Sequence, residues 1–253
     1  MPTIGAILNS LSKQAPPETK MDFDNVGLLA GDPEWDISCV MLSLDITSAV
    51  IREAEQYGAG LIVSHHPLFF DLKSATPETE GGKHLLELLT RRIGAVCMHT
   101  NLDAADGGVN DALASALRLR DAHAVEPEHI LRVGLLDKAM PMDDFLAEVK
   151  TALRCDGLRY TGNAPVWRVA VGGGSCGSML TEVVKTGCDT FVTADIKHDV
   201  FLRASELGLN LIDAGHFCTE NVVIPVLKNW LTRSFPDLRI LISSHRAPER
   251  FYC

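Results

Sequence analysis

The sequence predicts an α/β protein with two lobes, each a largely parallel sheet with flanking helices. Three observations carry this. A short apolar run ending in a polar, chemically capable residue recurs along the chain, and amphipathic segments of about ten residues separate these runs. The 253 residues, 46% of them hydrophobic and 22% charged, fall in the globular range, long enough for one large α/β body or two small lobes.

Apolar positions Ile4, Ile7, Leu8 and Leu11 repeat at helical spacing, with Thr3 placed to cap a short amphipathic helix over residues 3–13. Pro16 and Pro17 end it. Four strand-like runs then follow: Gly58-Ala-Gly-Leu-Ile-Val-Ser-His65-His66, Gly94-Ala-Val-Cys-Met-His99-Thr-Asn-Leu-Asp103, Gly187-Cys-Asp-Thr-Phe-Val-Thr-Ala-Asp195 and Gly208-Leu-Asn-Leu-Ile-Asp213-Ala-Gly-His216. Each leading glycine suits the left-handed position that closes a helix. Helices are expected over 47–56, 83–92, 109–117, 179–185 and 197–207. In parallel sheets ligands gather beyond the carboxyl ends of the strands, where His65, His66, His99, Asp103, Asp195, Asp213 and His216 fall.

The polar stretch 120–128, with Pro127, separates two sets of these units. It divides the chain into an N-terminal lobe, 1–124, and a C-terminal lobe, 125–253. With 23 basic and 33 acidic side chains the net charge is −10, which argues against a nucleic-acid partner and requires a local cation for any phosphate-bearing ligand. Seven cysteines include no Cys-x-x-Cys pair, the usage of a reduced compartment. The N-terminus lacks a basic region before its apolar residues, and no apolar run approaches the roughly 18 residues needed to span a bilayer, so a cytoplasmic location away from membranes is expected.

Taken alone, Ser64-His65-His66-Pro67 fits a pair of surface histidines as well as a cleft, and His99-Thr-Asn-Leu-Asp103-Ala-Ala-Asp106 fits turn and cap residues, with Asp106 a candidate cap for the next helix. His216 and Glu220, at i and i+4, share one helix face, although Pro225 should make that helix kink or restart. Together, three strand ends supply His65, His66, Asp103, His216 and Glu220, with His99 nearby. Five nitrogen and oxygen donors exceed what one catalytic zinc with three protein ligands uses, and suit two metals sharing a carboxylate. Donors of this kind favour zinc, iron or manganese.

The chain also resembles a known family, the NGG-one-interacting-factor-three-like proteins, which include YbgI-type proteins and homologues of the type-two GTP cyclohydrolase. The stretches that carry the resemblance are Asp24-Asn-Val-Gly-Leu-Leu-Ala-Gly-Asp32, Ser64-His-His-Pro-Leu-Phe-Phe70, His99-Thr-Asn-Leu-Asp103, Arg132-Val-Gly-Leu135, Gly173-Gly-Ser175, Thr193-Ala-Asp-Ile-Lys-His-Asp199 and Asp213-Ala-Gly-His216 with Thr219-Glu220. The resemblance implies a dinuclear metal centre in the cleft between the lobes, with His65, His66, Asp103, His216 and Glu220 as ligands and Glu220 as the bridge. It implies a homo-oligomer, a ring-shaped hexamer, in the compact form without an inserted domain. The segment 243–253 departs from the family pattern, lacking its Pro-Phe ending.

The activity expected is that of a metal-dependent hydrolase resembling the type-two GTP cyclohydrolase, with a small-molecule substrate such as a nucleotide. Two divalent ions would lower the pKa of a bridging water, and His99 would relay a proton. Ring opening, phosphoester hydrolysis and amide hydrolysis all stay open at this point. Two other classes remain: a ring whose metals are structural or mediate interaction, and a dinucleotide-binding oxidoreductase. The last rests on Gly172-Gly-Gly174-Ser-Cys-Gly177, which fits G-x-G-x-x-G after a strand, with Asp195 ending the next.

Overall fold

The structure, a computed structural model, describes residues 1–79, 81–125, 129–246 and 248. In chain order it contains α1 (Ile4–Ser12), β1 (Gly27–Ala30), β2 (Cys39–Ser43), α2 (Ser48–Gln56), β3 (Leu61–Ser64), α3 (Gly82–Thr90), β4 (Gly94–Cys97) and α4 (Thr100–Ala104). There follow α5 (Val109–Ala116), β5 (Arg120–Ala124), β6 (Arg132–Met140), α6 (Met142–Leu153), β7 (Arg159–Thr161), β8 (Val166–Val171), α7 (Leu180–Lys185) and β9 (Thr190–Thr193). The chain ends with α8 (His198–Glu206), β10 (Asn210–Asp213), α9 (His216–Glu220), α10 (Ile224–Ser234) and β11 (Arg239–Ile242). Among the described residues no helix is long and apolar enough to cross a membrane.

The chain divides into two compact units, Met1–Asp106 with Ile224–Arg246, and Gly107–Val223. The first is discontinuous because β11 returns to pair in parallel with β2, Ile240 opposite Val40. The division after residue 124 read from the sequence therefore falls inside the second unit, where β5 is tied to β6 by the pairing of His123 with Val133. Pro127 and Glu128, which suggested that boundary, lie outside the described residues.

The first unit carries a five-stranded sheet in the order β1-β4-β3-β2-β11, parallel except for β1 at the edge. Its strands β2, β3 and β4 are buried along their whole length, as the unbroken apolar runs require. Met41, Ile62 and Ala95 pack with Val50, Ile51 and Ala54 of α2 and Leu88 of α3. Thr3 and Thr47 cap α1 and α2 through their hydroxyls, as the sequence indicates for Thr3. Gly94 is not the helix-closing residue expected; Arg92 takes the left-handed conformation (φ 55°) and Gly94 begins β4. Its glycine identity answers to packing, since a Cβ there would stand 2.4 Å from Cδ1 of Ile4.

The second unit carries a six-stranded mixed sheet, β5-β6-β8-β9-β10-β7. Its parallel heart is β8-β9-β10, and antiparallel partners flank it. Leu113 of α5 and Phe145 and Val149 of α6 pack with Val169, Val192 and Ile212 in its core. Arg132, from the Arg-Val-Gly-Leu stretch, is buried and its Nε donates to Asp111 Oδ1 at 2.7 Å, so a buried charge is paired. Asp106 does not cap α5: Gly108 holds that position, and Asp111 Oδ2 accepts the Gly107 N–H.

Candidate metal centre

In the first unit the parallel register sets Ser43 beside Ser64 and Ser64 beside Cys97, so the residues after β2, β3 and β4 leave at one edge. Asp45, His65, His66 and His99 therefore emerge together. The turn after β3 is fixed by its backbone: His66 N–H donates to Leu44 O at 2.9 Å, and Ser64 Oγ donates to His66 O at 2.7 Å. Both adjacent imidazoles consequently enter the same cluster, their ring centroids 5.1 Å apart and each within 5.7 Å of the His99 ring. His65, His66 and His99 each bring one ring nitrogen to within 4.8 Å of the others. Asp103, on α4, stands with Oδ1 3.6 Å from Nε2 of His65.

Each of these rings is held at Nδ1 by an oxygen. His65 Nδ1 lies 2.9 Å from Met98 O, His66 Nδ1 2.7 Å from Asp45 Oδ1, and His99 Nδ1 2.7 Å from Asp24 Oδ1. A carbonyl or carboxylate oxygen only accepts, so in the neutral rings the proton sits on Nδ1 and the lone pair on Nε2. Asp24 is buried, which pushes its carboxyl up; hydrogen bonds from His99 and from the Thr100 hydroxyl and N–H overcome that and hold it well below the usual carboxylate range.

In the second unit the carboxyl ends of β8, β9 and β10 likewise share an edge, Val171 beside Val192 and Thr193 beside Asp213. They deliver the Gly172–Gly174 turn, Asp195 and α9. His216 and Glu220 face each other across one helical turn, Nε2 to Oε2 at 3.0 Å, and His216 Nδ1 lies 2.7 Å from Asp195 Oδ2. The helix stops at Glu220, passes through a 3-10 turn and restarts as α10 with Pro225 in its first turn, the restart the sequence foretold. Asp195 adopts φ 53°, uncommon for a residue with a side chain, in a turn pinned where Ile196 N–H donates to Asp213 Oδ2 at 3.1 Å.

The glycine-rich turn serves this helix. Its amides are engaged within the unit: Gly173 N–H donates to Asn110 Oδ1, Gly174 N–H to Thr219 Oγ1 and Cys176 N–H to Thr193 Oγ1, at 2.7, 3.0 and 3.2 Å. A Cβ on Gly174 would fall 2.1 Å from Oε1 of Glu220. The turn is a close-packing device, and the acid after the next strand orients His216.

Other strand-end residues have structural work. Asn101 is buried and donates to Ala15 O at 2.8 Å, and Asp213 is engaged by Arg159 and by the N–H groups of Ile196 and Gly215. Lys197 and His198 are exposed at the start of α8. Asp45, which holds His66, is not among the residues the strand-end pattern singles out. The signal is the same one used elsewhere, an apolar strand (Cys39–Ser43) with a carboxylate two residues past its end, but without the leading glycine.

The donor chemistry fits divalent metal: imidazoles with their tautomer set by an anchored Nδ1, together with carboxylates, and among the described residues no thiol belongs to these donor groups. Cys97 is buried, and burial pushes its thiol well above its ordinary value, with Asp24 and Asp103 adding to the effect.

Residues 2–248 match the model of the family described as Duf34/NIF3 (NGG1p interacting factor 3). A Clostridium perfringens protein named GTP cyclohydrolase 1 type 2 homolog is 35% identical over 247 residues, covering 94% of each chain. A protein of the same name from Clostridium acetobutylicum is 34% identical over 224 residues, covering 85% of this chain and 84% of the other. Among solved structures, a hypothetical protein from Staphylococcus aureus superposes with a TM-score of 0.91 at 27% identity over the whole of both chains. Reduced HcgD from Methanocaldococcus jannaschii does so with a TM-score of 0.84 at 28% identity, covering 96% of this chain and 98% of that one. By the match of the family model over residues 2–248 and these likenesses along nearly its full length, the chain belongs to the Duf34/NIF3 family.

Proposed function

We propose that this protein is a dinuclear metal-dependent hydrolase resembling the type-two GTP cyclohydrolase and acting on a nucleotide or a related small molecule. The single observation that carries the reading is the shared treatment of its histidines: His65, His66, His99 and His216 each have Nδ1 held by an oxygen, which makes Nε2 the donor atom. An ordinary structural histidine needs no such uniformity. The names of the relatives support the same class.

His65, His66, Asp103, His216 and Glu220 are the proposed ligands, with Glu220 bridging. Two divalent cations held there would supply Lewis acidity and lower the pKa of water. Within the protein, Asp45, Asp24 and Asp195 orient imidazoles, and His99 holds or relays a proton at Nε2 while Asp24 keeps Nδ1 protonated. With a net charge of −10 the chain offers no broad basic face, so the metals and Lys197 would receive a substrate's phosphates. A cytoplasmic homo-oligomer, a ring-shaped hexamer, belongs to the same reading.

The test is elemental analysis of freshly purified protein followed by a turnover screen against nucleotides and phosphoesters, before and after chelation. Two metals per chain with turnover that chelation abolishes and metal restores is the expected result. Metal loss that dissociates the oligomer, in a protein turning over none of these substrates, would make the metals structural instead.

A further inference from the structure

Two of the most exposed apolar side chains of the first unit stand together beside its histidine cluster. Phe23 is 64% and Phe70 55% exposed, and their ring centroids are 6.1 Å apart. Phe70 also lies 5.8 Å from the His99 ring, at an interplanar angle of 59°. Single exposed phenyl groups need no explanation, but a contacting pair against a polar donor cluster leaves apolar surface in water where a ligand would approach.

The pair is built rather than incidental. Phe23 precedes Asp24, whose carboxylate holds His99, and Asn25 Nδ2 donates to Phe69 O at 2.9 Å, which ties the loop of Phe23 to the loop of Phe70. Lys20 Nζ closes the first loop on Asp24 O at 2.9 Å. The two loops that carry the phenyl rings are thus bonded to each other and to the histidine that the proposed chemistry uses. A second anchor holds the other loop close to the helix that follows: Gly81 takes φ 74°, and a Cβ there would stand 3.0 Å from Leu68 O and from Phe69 Cβ.

We infer that Phe70 and Phe23 form a stacking platform for a planar heteroaromatic ring, such as the base of a purine nucleotide, and so select the substrate. The inference rests on the metal-hydrolase reading for the position of the reacting atom. An aromatic face attracts another π system at centroid separations of about 4.5 to 7 Å, and the Phe70 ring itself stands 5.8 Å from the His99 imidazole. Ligand sites combine such apolar lining with a few convergent polar groups, here Nε2 of the histidines. The platform recognises the base, and the phosphates are left to the metals.

Binding to the metal-loaded protein tests this, with three probes, GTP, guanosine and inorganic triphosphate, on the wild type and on Phe70→Ser, Phe23→Ser and Leu202→Ser, the last an exposed apolar control on α8. Metal content and oligomeric mass are measured for each. The platform requires that Phe70→Ser weaken GTP and guanosine roughly five-fold to a hundred-fold, the range for loss of one base–aromatic stack, with a smaller loss in Phe23→Ser. Triphosphate affinity, metal content and the control should not change. Equal GTP affinity in both variants overturns the inference, as does a wild type that binds triphosphate but no base, which leaves the metal reading standing. Guanosine binding that needs Phe70 in a protein that holds no metal keeps the platform and removes the metal reading. A change in oligomeric mass at constant nucleotide affinity makes the pair a contact between copies of the chain and overturns the inference.

Discussion

His99 in the first unit and His216 in the second are anchored alike, each with Nδ1 2.7 Å from an aspartate oxygen, yet the settings of the two pairs are opposite. The Asp24 side chain is fully buried and that of His99 14% exposed, whereas Asp195 is 52% and His216 32% exposed. The same distance therefore carries different energies. A carboxylate removed from water depends on its donors, while one in water has solvent as an alternative and its charge is screened. The first unit thus holds His99 against a carboxylate out of water; the second places a bridging candidate on a five-residue helix, with Glu220 packed against Gly174.

The sharpest way to break that comparison is to remove one proposed ligand from each unit. His66→Ala should cost one metal, and Glu220→Ala both, because a bridge serves two ions. The expected metal content per chain is about one and about zero by elemental analysis. Full occupancy in Glu220→Ala sinks the bridge assignment. The next effect in size concerns the buried pair: His99→Ala should retain its metals and fold and lose roughly ten-fold to ten-thousand-fold in turnover on whatever substrate the screen identifies. Unchanged turnover with intact metals would leave His99 a structural role, and loss of a metal would make it a ligand, which its position within 4.8 Å of the other two ring nitrogens permits.

Much of this site was legible in the sequence because both sheets obey one rule. Parallel strands read as unbroken apolar runs, and the residue just past each run sits at the shared edge, so His65, His66, His99 and His216 could be placed from order alone. What could not be read is long-range pairing. The return of β11 to β2 depends on contacts across about two hundred residues, and no local pattern around residue 240 announces it. The carboxylates behind the histidines were obscured for a related reason: Asp24 lies in an irregular loop, without period, and meets His99 across 75 positions of chain. Gly94 misled because a glycine demanded by a neighbouring Ile4 side chain looks, in one dimension, like a glycine demanded by backbone conformation.

Asp24→Asn probes the buried side of the comparison. Its folded-state pKa is lowered relative to the unfolded value of about 3.9, so its ionisation contributes stability that is present above about pH 4 and lost as pH falls through the folded value. Replacing the carboxylate with an amide should cost about 1 to 3 kcal/mol near neutral pH, since the N–H and hydroxyl of Thr100 and the ring of His99 lose a charged acceptor. Chemical denaturation at a series of pH values measures it. The difference between wild type and variant should shrink on acidification below pH 4, and a difference constant with pH would show that the charge is not what matters.

Asp195→Asn is the exposed counterpart and should have the smallest effect. Asparagine tolerates the left-handed backbone that Asp195 adopts at φ 53°, so the substitution changes charge without adding strain, which alanine would not achieve. Its amide oxygen can still accept from Nδ1 of His216, and at 52% exposure the lost charge is screened, so stability should stay within about 0.5 kcal/mol of wild type. The cost should appear in metal affinity, because a carboxylate behind an imidazole raises the basicity of the far nitrogen; roughly ten-fold weaker binding is expected, at the low end for such partners. Titration with a competing chelator reads that change while denaturation reads the other. If Asp195→Asn instead destabilises the fold as much as Asp24→Asn, burial is not what separates the two anchors, and the electrostatic contrast between the units fails.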